Sequence, residues 1–418
     1  MRECFIEGGQ RLNGELAVAG AKNLALKAMA AALLSPEVMR LVNVPEIEDV
    51  KRQLEILTRL GAVVSHPAPG VYEINTAEVK SGAMPRELVN KLRASTVLTG
   101  PLLARFGEVE LSHPGGCKIG RRPIDLFLRG FQALGAEVKE VSGRAYQLRA
   151  RKLKGARIVF PQVSVTGTET MMLAAALAVG KSELVNAALE PEIFVLASYL
   201  NAHGAKIAGA GTSTITIEGV DQIGAGDFTM MPDRIETGTF IMLALATGSS
   251  ITVSHCNPQH LEVPLALWRE MGAVLDVGPS TVTVRSVGPL KAVNVKTHEY
   301  PGFVTDLQSS MTVLLTQAQG HSLVHETIFE GRLFFADVLN QMGAEVTLCD
   351  PHRVIIQGPT PLEGRTIEAP DARAGLALLA AALAARGTST IKNTYPIDRG
   401  YERLVERLVA IGAKIKRV

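Results

Sequence analysis

Cysteine is scarce in this chain of 418 residues, and its four thiols, Cys4, Cys117, Cys256 and Cys349, lack the short spacings of a metal site. That excludes a disulfide framework and a zinc centre, so free thiols are expected. Net charge is scarcer still, because 43 basic side chains against 41 acidic ones leave only +2. A bulk electrostatic partner such as duplex DNA or an anionic bilayer is disfavoured, and any anion must be held by a local arrangement. Long apolar runs are missing too. The longest, such as Leu376 to Ala385, are too short for a membrane span, and the opening MRECFIEGGQ has no apolar h-region. A soluble, cytoplasmic protein with no nucleic-acid or membrane partner is expected. There is also no GxxxxGK[ST] loop, no GxGxxG fingerprint in a βαβ unit and no acidic pair suited to magnesium. The expected chemistry is therefore transfer on an anionic substrate, with no metal and no cofactor.

What the chain has is a repeat. With 47% hydrophobic and 20% charged residues it is a well-packed globular protein long enough for two or three domains. A Gly-Ala pair closing an amphipathic segment and opening a strand-like run recurs at Gly61, Gly135, Gly204, Gly272, Gly343 and Gly412. The interval is roughly 70 residues, so six units fill the chain. Glycine is expected just past a helix C-terminus, where a left-handed backbone is needed. Each unit also holds a helix of different character, at residues 23–34, 95–106, 168–179, 237–247, 309–318 and 372–386. Segments such as TETMMLAAALAV are apolar nearly all round and must be buried on every side. The Gly-Ala helices are one-sided: in GYERLVERLVAIGA, Tyr401, Leu404, Val405 and Leu408 share a face. Alternating runs at 212–219, 280–287 and 352–358 read as strands, so each unit reads β-α-β-α-β-β. Buried helices need sheets to cover them. The economical α/β assembly is two domains of three units each, helices inside and sheets outside. A single six-unit solenoid is the alternative, and it is disfavoured because the terminal repeats lack polar caps.

The loops entering the buried helices carry cap-type residues, and parallel helices would aim their N-termini at one end, where anions are attracted. Lys22, Arg93, Arg234 and Arg373 sit at four of these entries, and Asp306 at another. Arg122, Arg332 and Arg399 lie in loops leading to the amphipathic helices. Any one of them alone reads as a solvated surface charge. Their recurrence at equivalent places suits a substrate with several phosphate or carboxylate groups. The stretch HPGGCKIGRRP, residues 113–123, places Cys117 behind two glycines and ahead of Lys118, Arg121 and Arg122. It reads either as a reactive thiol on a mobile loop or as a basic surface turn with an incidental cysteine.

Taken together, AGAKN at 19–23, LRAS at 92–95, PGGCKIGRRPIDL at 114–126, PDRIETGTF at 232–240, FVTDLQ at 303–308 and IDRGYER at 397–403 carry a resemblance. The chain resembles the UDP-N-acetylglucosamine 1-carboxyvinyltransferase family of enolpyruvyl transferases along essentially its whole length. The resemblance implies a pair of inside-out α/β barrels: residues 22–230 with the Cys117 loop form one domain, residues 1–21 with 231–418 the other, and the active site lies in the cleft. It implies phosphoenolpyruvate and UDP-N-acetylglucosamine as substrates, in the first committed step of peptidoglycan precursor synthesis. By motif position, Lys22, Arg122 and Arg399 would hold phosphoenolpyruvate, with Asn23, Arg93, Arg332 and Arg373 around it. The sugar nucleotide would meet Asn23, Arg93, Arg122, Pro123, Ile124, Asp125, Leu126, Gln162, Val163, Ser164, Val165, Thr166, Asp306 and Ile328. The catalytic set would be Cys117, Asp306, Lys22 and Arg399.

The implied chemistry needs an acid and a base. Cys117 would protonate C3 of phosphoenolpyruvate and can bond to C2. Asp306 would take the proton of the attacking sugar hydroxyl. The cations beside Cys117 favour a thiolate, which cannot donate a proton, but a bound polyanion offsets them and raises the thiol pKa. The chain departs from the family pattern at Phe127, Gln162, Val195 and Gly331, and Phe127 and Gln162 adjoin the nucleotide side. A paralogous transferase with another hydroxyl acceptor, and a silent sugar-nucleotide sensor on the same fold, are the competing readings.

Overall fold

The structure, a computed structural model, describes residues 3–112, 119–120, 122–142, 145–285 and 288–418. These divide into two compact units: residues 20–112 with 122–231, and residues 3–19 with 119–120 and 232–418. Each has its own hydrophobic core. Ile119 and Gly120, read from sequence as part of the 22–230 domain, group instead with residues 232–418, where the Gly331 N–H donates to the Ile119 carbonyl at 2.9 Å.

In the 20–231 unit the buried helices are Lys22–Ala31, Thr99–Phe106 and Val165–Ala175. In the other unit they are Arg234–Ala246, Gln308–Leu315 and Ala372–Ala384. Every residue of Arg234–Ala246 is buried, and so is every residue of Gln308–Leu315, polar ones such as Glu236 and Gln308 included. Backbones come close where glycine allows it: a Cβ on Gly100 would strike the Thr170 carbonyl of the neighbouring helix.

Each unit covers its helices with three sheets among the described residues, and most follow one plan. In one, Asn13–Ala17 runs parallel to Ser250–Ser254, which pairs antiparallel with Thr281–Arg285, which pairs antiparallel with Val274–Val277. Strands such as Thr281–Arg285 bury alternate residues, with Val282 and Val284 inward. The repeats close circularly. Asp227–Thr229 returns to pair with Val38–Val42 of the first repeat, and Cys4–Glu7 lies between Thr388–Lys392 and Lys414–Arg417 of the last. That is why the N-terminal strands belong with residues 232–418.

All six Gly-Ala pairs end helices in one way. The glycines have φ between +85° and +104°. Each glycine N–H reaches the carbonyl three residues back and each alanine N–H the carbonyl five back, as Gly272 to Arg269 at 2.9 Å and Ala273 to Trp268 at 3.0 Å. This is the Schellman arrangement, which satisfies carbonyls the helix leaves orphaned. The last amphipathic helix starts later than its pattern suggests, at Leu404, because Arg403 adopts φ +44°. Tyr401 therefore lies ahead of that helix rather than on its face.

A Cβ on Gly272 would meet nothing within 4 Å, so its substitution isolates the backbone effect. Gly272→Ala should cost about 1–2 kcal/mol, and Gly272→Asn less, read from urea unfolding midpoints. An unchanged midpoint for the alanine variant would show that the left-handed turn does not contribute.

Candidate active site

In the 232–418 unit the N-termini of the buried helices are set by their own first residues. Asp233 Oδ1 accepts the N–H groups of Ile235 and Glu236 at 2.8 and 3.0 Å. Asp371 Oδ1 does the same for Arg373 and Ala374 at 2.8 and 3.1 Å. Asp306, in the Thr305–Leu307 turn ahead of Gln308–Leu315, could have been a third cap. It is not: the helix has no side-chain cap, and the Asp306 carboxylate faces two guanidiniums instead. Arg332 Nη2 donates to Oδ1 at 3.1 Å and Arg373 Nη2 donates to Oδ2 at 2.9 Å.

Burial acts to raise the Asp306 pKa, but Arg373 and Arg332, with Arg234 behind them, outweigh it and hold the carboxyl well below the usual carboxylate range. The arginines are fixed in turn. Arg373 Nη1 donates to the Tyr401 hydroxyl at 2.9 Å, and burial pushes that phenol upward, keeping it neutral. The Arg332 side chain is only 3% exposed, yet its Nε and Nη1 find no hydrogen-bond partner among the described residues. Buried guanidinium donors left open next to an already ionised carboxylate are what an incoming anion would fill. Arg399 is half-buried; the turn before it packs on the Ala372–Ala384 helix, where Gly375 admits Ile397. Ile328 lies in the turn leading to Arg332, partly exposed.

In the 20–231 unit, Lys22 begins its helix, with Asn23 beside it, and Lys22 Nζ lies 2.6 Å from Asp49 Oδ2. Arg93 opens a short 3₁₀ turn, Arg93–Leu98. Burial and the nearby positive charge of Arg122 pull Arg93 down to about 10. Two guanidiniums that raise each other's cost in this way form another place where an anion is stabilising. Pro123, Ile124, Asp125 and Leu126 lead into the helix Asp125–Ala133, while Val163, Ser164, Val165 and Thr166 lead into Val165–Ala175. Ser164 Oγ caps the latter by accepting the Gly167 N–H at 3.1 Å. The two segments are neighbours, because a Cβ on Gly167 would fall on the Leu126 side chain. Gln162 is exposed, whereas Phe127 is buried in the core and offers nothing polar.

The structure thus joins Asp306, Arg332 and Arg373 into one cluster, brings Arg93 within the field of Arg122, and sets 123–126 beside 163–166. Cys117, with Lys118 and Arg121, lies outside the described residues. Two residues of the site are not marked as such in the sequence: Asp49 and Tyr401. Asp49 looks like an ordinary first-turn acid of an exposed helix, and Tyr401 was absorbed into an amphipathic pattern. Among the described residues no group of three or more His, Cys, Asp or Glu could hold a metal ion, and no helix is long and apolar enough to cross a membrane.

The family model of EPSP synthase (3-phosphoshikimate 1-carboxyvinyltransferase) matches residues 6–408. UDP-N-acetylglucosamine 1-carboxyvinyltransferase of Gloeobacter violaceus is 44% identical over 99% of this chain and 90% of its own length. The enzyme of that name from Magnetococcus marinus is 44% identical over the full length of both chains. Among solved structures, the enolpyruvyl transferase NikO from Streptomyces tendae superposes with a TM-score of 0.89 at 26% identity, covering 100% of this chain and 99% of its own. EPSP synthase from Acinetobacter baumannii shares the fold, with a TM-score of 0.76 at 17% identity and full coverage of both chains.

The ionisation of Asp306 has a sign that can be measured. Its folded pKa lies below the unfolded value, so the stabilisation is present above about pH 4 and is lost as pH falls through the folded value. Asp306→Asn should be less stable than wild type at pH 7 by about 1–3 kcal/mol, the worth of charge-assisted bonds lost, with the gap narrowing below pH 4. Urea titrations across that range read it, and a gap independent of pH would show that Asp306 is not an ionised clamp.

Proposed function

The chain belongs to the EPSP synthase family and, within it, to the UDP-N-acetylglucosamine 1-carboxyvinyltransferases, and on that premise we propose how it works. It transfers the enolpyruvyl group of phosphoenolpyruvate to the 3-hydroxyl of UDP-N-acetylglucosamine and releases phosphate. Cys117 delivers a proton to C3, which leaves C2 electrophilic. The sugar hydroxyl oxygen bonds to C2 as Asp306 takes its proton. Loss of a proton from C3 and of phosphate from C2 then restores the double bond. Lys22, Arg93, Arg122, Arg332, Arg373 and Arg399 hold the charged groups of the substrates in this reading. A cytoplasmic place at the start of peptidoglycan precursor synthesis is part of the same reading.

The observation that carries this reading is the Asp306 cluster. An ionised carboxylate held by Arg332 and Arg373 is in the correct state for a base, and Arg332 has donors without a partner among the described residues that suit an anion. So depressed a carboxylate is a weak base until something competes for its arginines. Phosphoenolpyruvate does so: its charges draw on the guanidiniums, weaken their hold and raise the Asp306 pKa as the hydroxyl arrives.

Phosphate release from phosphoenolpyruvate, assayed against a panel of hydroxyl acceptors, tests the reaction. Release should depend on UDP-N-acetylglucosamine, with the enolpyruvyl group appearing on the nucleotide. Tight nucleotide binding with no acceptor-dependent phosphate would make the protein a sensor, and preference for another acceptor would make it a paralogous transferase. Cys117→Ser should lose turnover and covalent labelling by the epoxide fosfomycin, whereas Cys117→Asp should stay active and resist it. Labelling that persists in Cys117→Ser would move the reactive thiol to Cys4, Cys256 or Cys349.

A further inference from the structure

Glu326 follows the strand Gly320–His325 and is fully buried, yet it makes no ion pair among the described residues. Its carboxylate is spent on two turns at once. Oε1 accepts the N–H groups of Ile328 and Phe329 at 2.8 and 3.1 Å, while Oε2 accepts the Thr305 hydroxyl at 2.8 Å. Thr305 immediately precedes Asp306, and Ile328 and Phe329 lead into Arg332. The residue itself is immobilised by His352: the Glu326 N–H donates to the His352 carbonyl at 2.8 Å, and His352 Nδ1 donates to the Glu326 carbonyl at 2.7 Å. Thr327 is tied as firmly to Thr297, through bonds of 2.8 and 2.7 Å.

A buried carboxylate without a counter-ion is a costly way to join two loops, since an apolar pair or an amide would need less desolvation. What it offers is acceptor capacity on both sides with no donor to misplace. The join matters because the Asp306–Arg332 contact of 3.1 Å spans the same two turns. Should they shift relative to one another, the direction of the Asp306 lone pairs shifts with them, and a displacement of about 1 Å at a reacting group can cost on the order of 10²-fold in rate.

We infer that Glu326 is a positioning residue of the reaction: by bonding Thr305 on one side and the Ile328–Phe329 amides on the other, it sets the orientation of Asp306 for taking the hydroxyl proton. This rests on the reading of Asp306 as the base.

The test is a double-mutant cycle with kcat and both KM values measured at each corner. Glu326→Ala should lower kcat by about 10- to 100-fold while the KM for phosphoenolpyruvate moves only a few-fold. Glu326→Gln should recover most of the loss, because the amide oxygen can face the two N–H groups and its NH₂ can donate to the Thr305 hydroxyl. Thr305→Val, which removes one of the three bonds, should show a smaller loss and serves if Glu326→Ala fails to fold. In an Asp306→Asn background the effects of Glu326→Ala and Thr305→Val on kcat should vanish, because there is no base left to orient. A purely structural role would leave those losses multiplicative in that background, and that result would overturn the inference. Turnover of Glu326→Ala within two-fold of wild type would overturn it as well. If Asp306→Asn alone turned over normally, the base reading would fail first and the positioning role with it.

Discussion

The guanidiniums around Asp306 outnumber the carboxylate they share, and much else in the molecule follows from that imbalance. Arg332 and Arg373 bond to it directly and Arg234 adds its field. Arg332 is buried, and its Nε and Nη1 find no hydrogen-bond partner among the described residues. An arrangement with this excess of positive charge favours a polyanion. Arg93 beside Arg122 in the other unit has the same character on a smaller scale. The binding energy of the substrate's charged groups is therefore available to change the protonation tendencies of the groups that do the chemistry. In the proposed mechanism, that neutralisation would release Asp306 from its arginines and the Cys117 thiol from the basic residues that follow it in sequence.

The fold makes this possible by repetition. Each repeat supplies a helix apolar enough to be buried on all sides, and a buried helix must begin somewhere with its N–H groups unsatisfied. Asp233, Ser164 and Asp371 answer that need with side-chain caps. At the Gln308–Leu315 entry the acid that could cap is withdrawn for another task, and a 3₁₀ turn, Thr305–Leu307, takes its place. At the opposite polarity the left-handed glycines close the amphipathic helices in all six repeats. Rigid ends of this kind let a few side chains on short loops hold fixed positions.

Much of this was legible in the residues. The six Gly-Ala pairs predicted six left-handed turns because only glycine occupies that conformation freely, and apolar all-round segments predicted buried helices because no exposed helix tolerates them. The cations were legible through their recurrence in equivalent loops. Their partners were not. Asp49 pairs with Lys22 and Tyr401 with Arg373 across separations in sequence that no local period encodes, and the bond from Thr305 to Glu326 is hidden in the same way. Asp306 itself carries a pattern compatible with a helix cap, and only the three-dimensional placement of Arg332 and Arg373 distinguishes a clamp from a cap. The grouping of Ile119 and Gly120 with residues 232–418 was equally invisible, since it depends on a contact with Gly331.

The claim on which the account turns is that Asp306 accepts the proton of the attacking hydroxyl. A single-turnover measurement reads that step without product release: enzyme in excess, phosphoenolpyruvate carrying a carbon label, and the rate at which label joins UDP-N-acetylglucosamine. For Asp306→Asn the account predicts a rate lower by roughly 10²- to 10⁴-fold, with both substrates still bound and the fold intact. Label transfer within a few-fold of the wild-type rate would contradict it and would place the proton acceptor on another group.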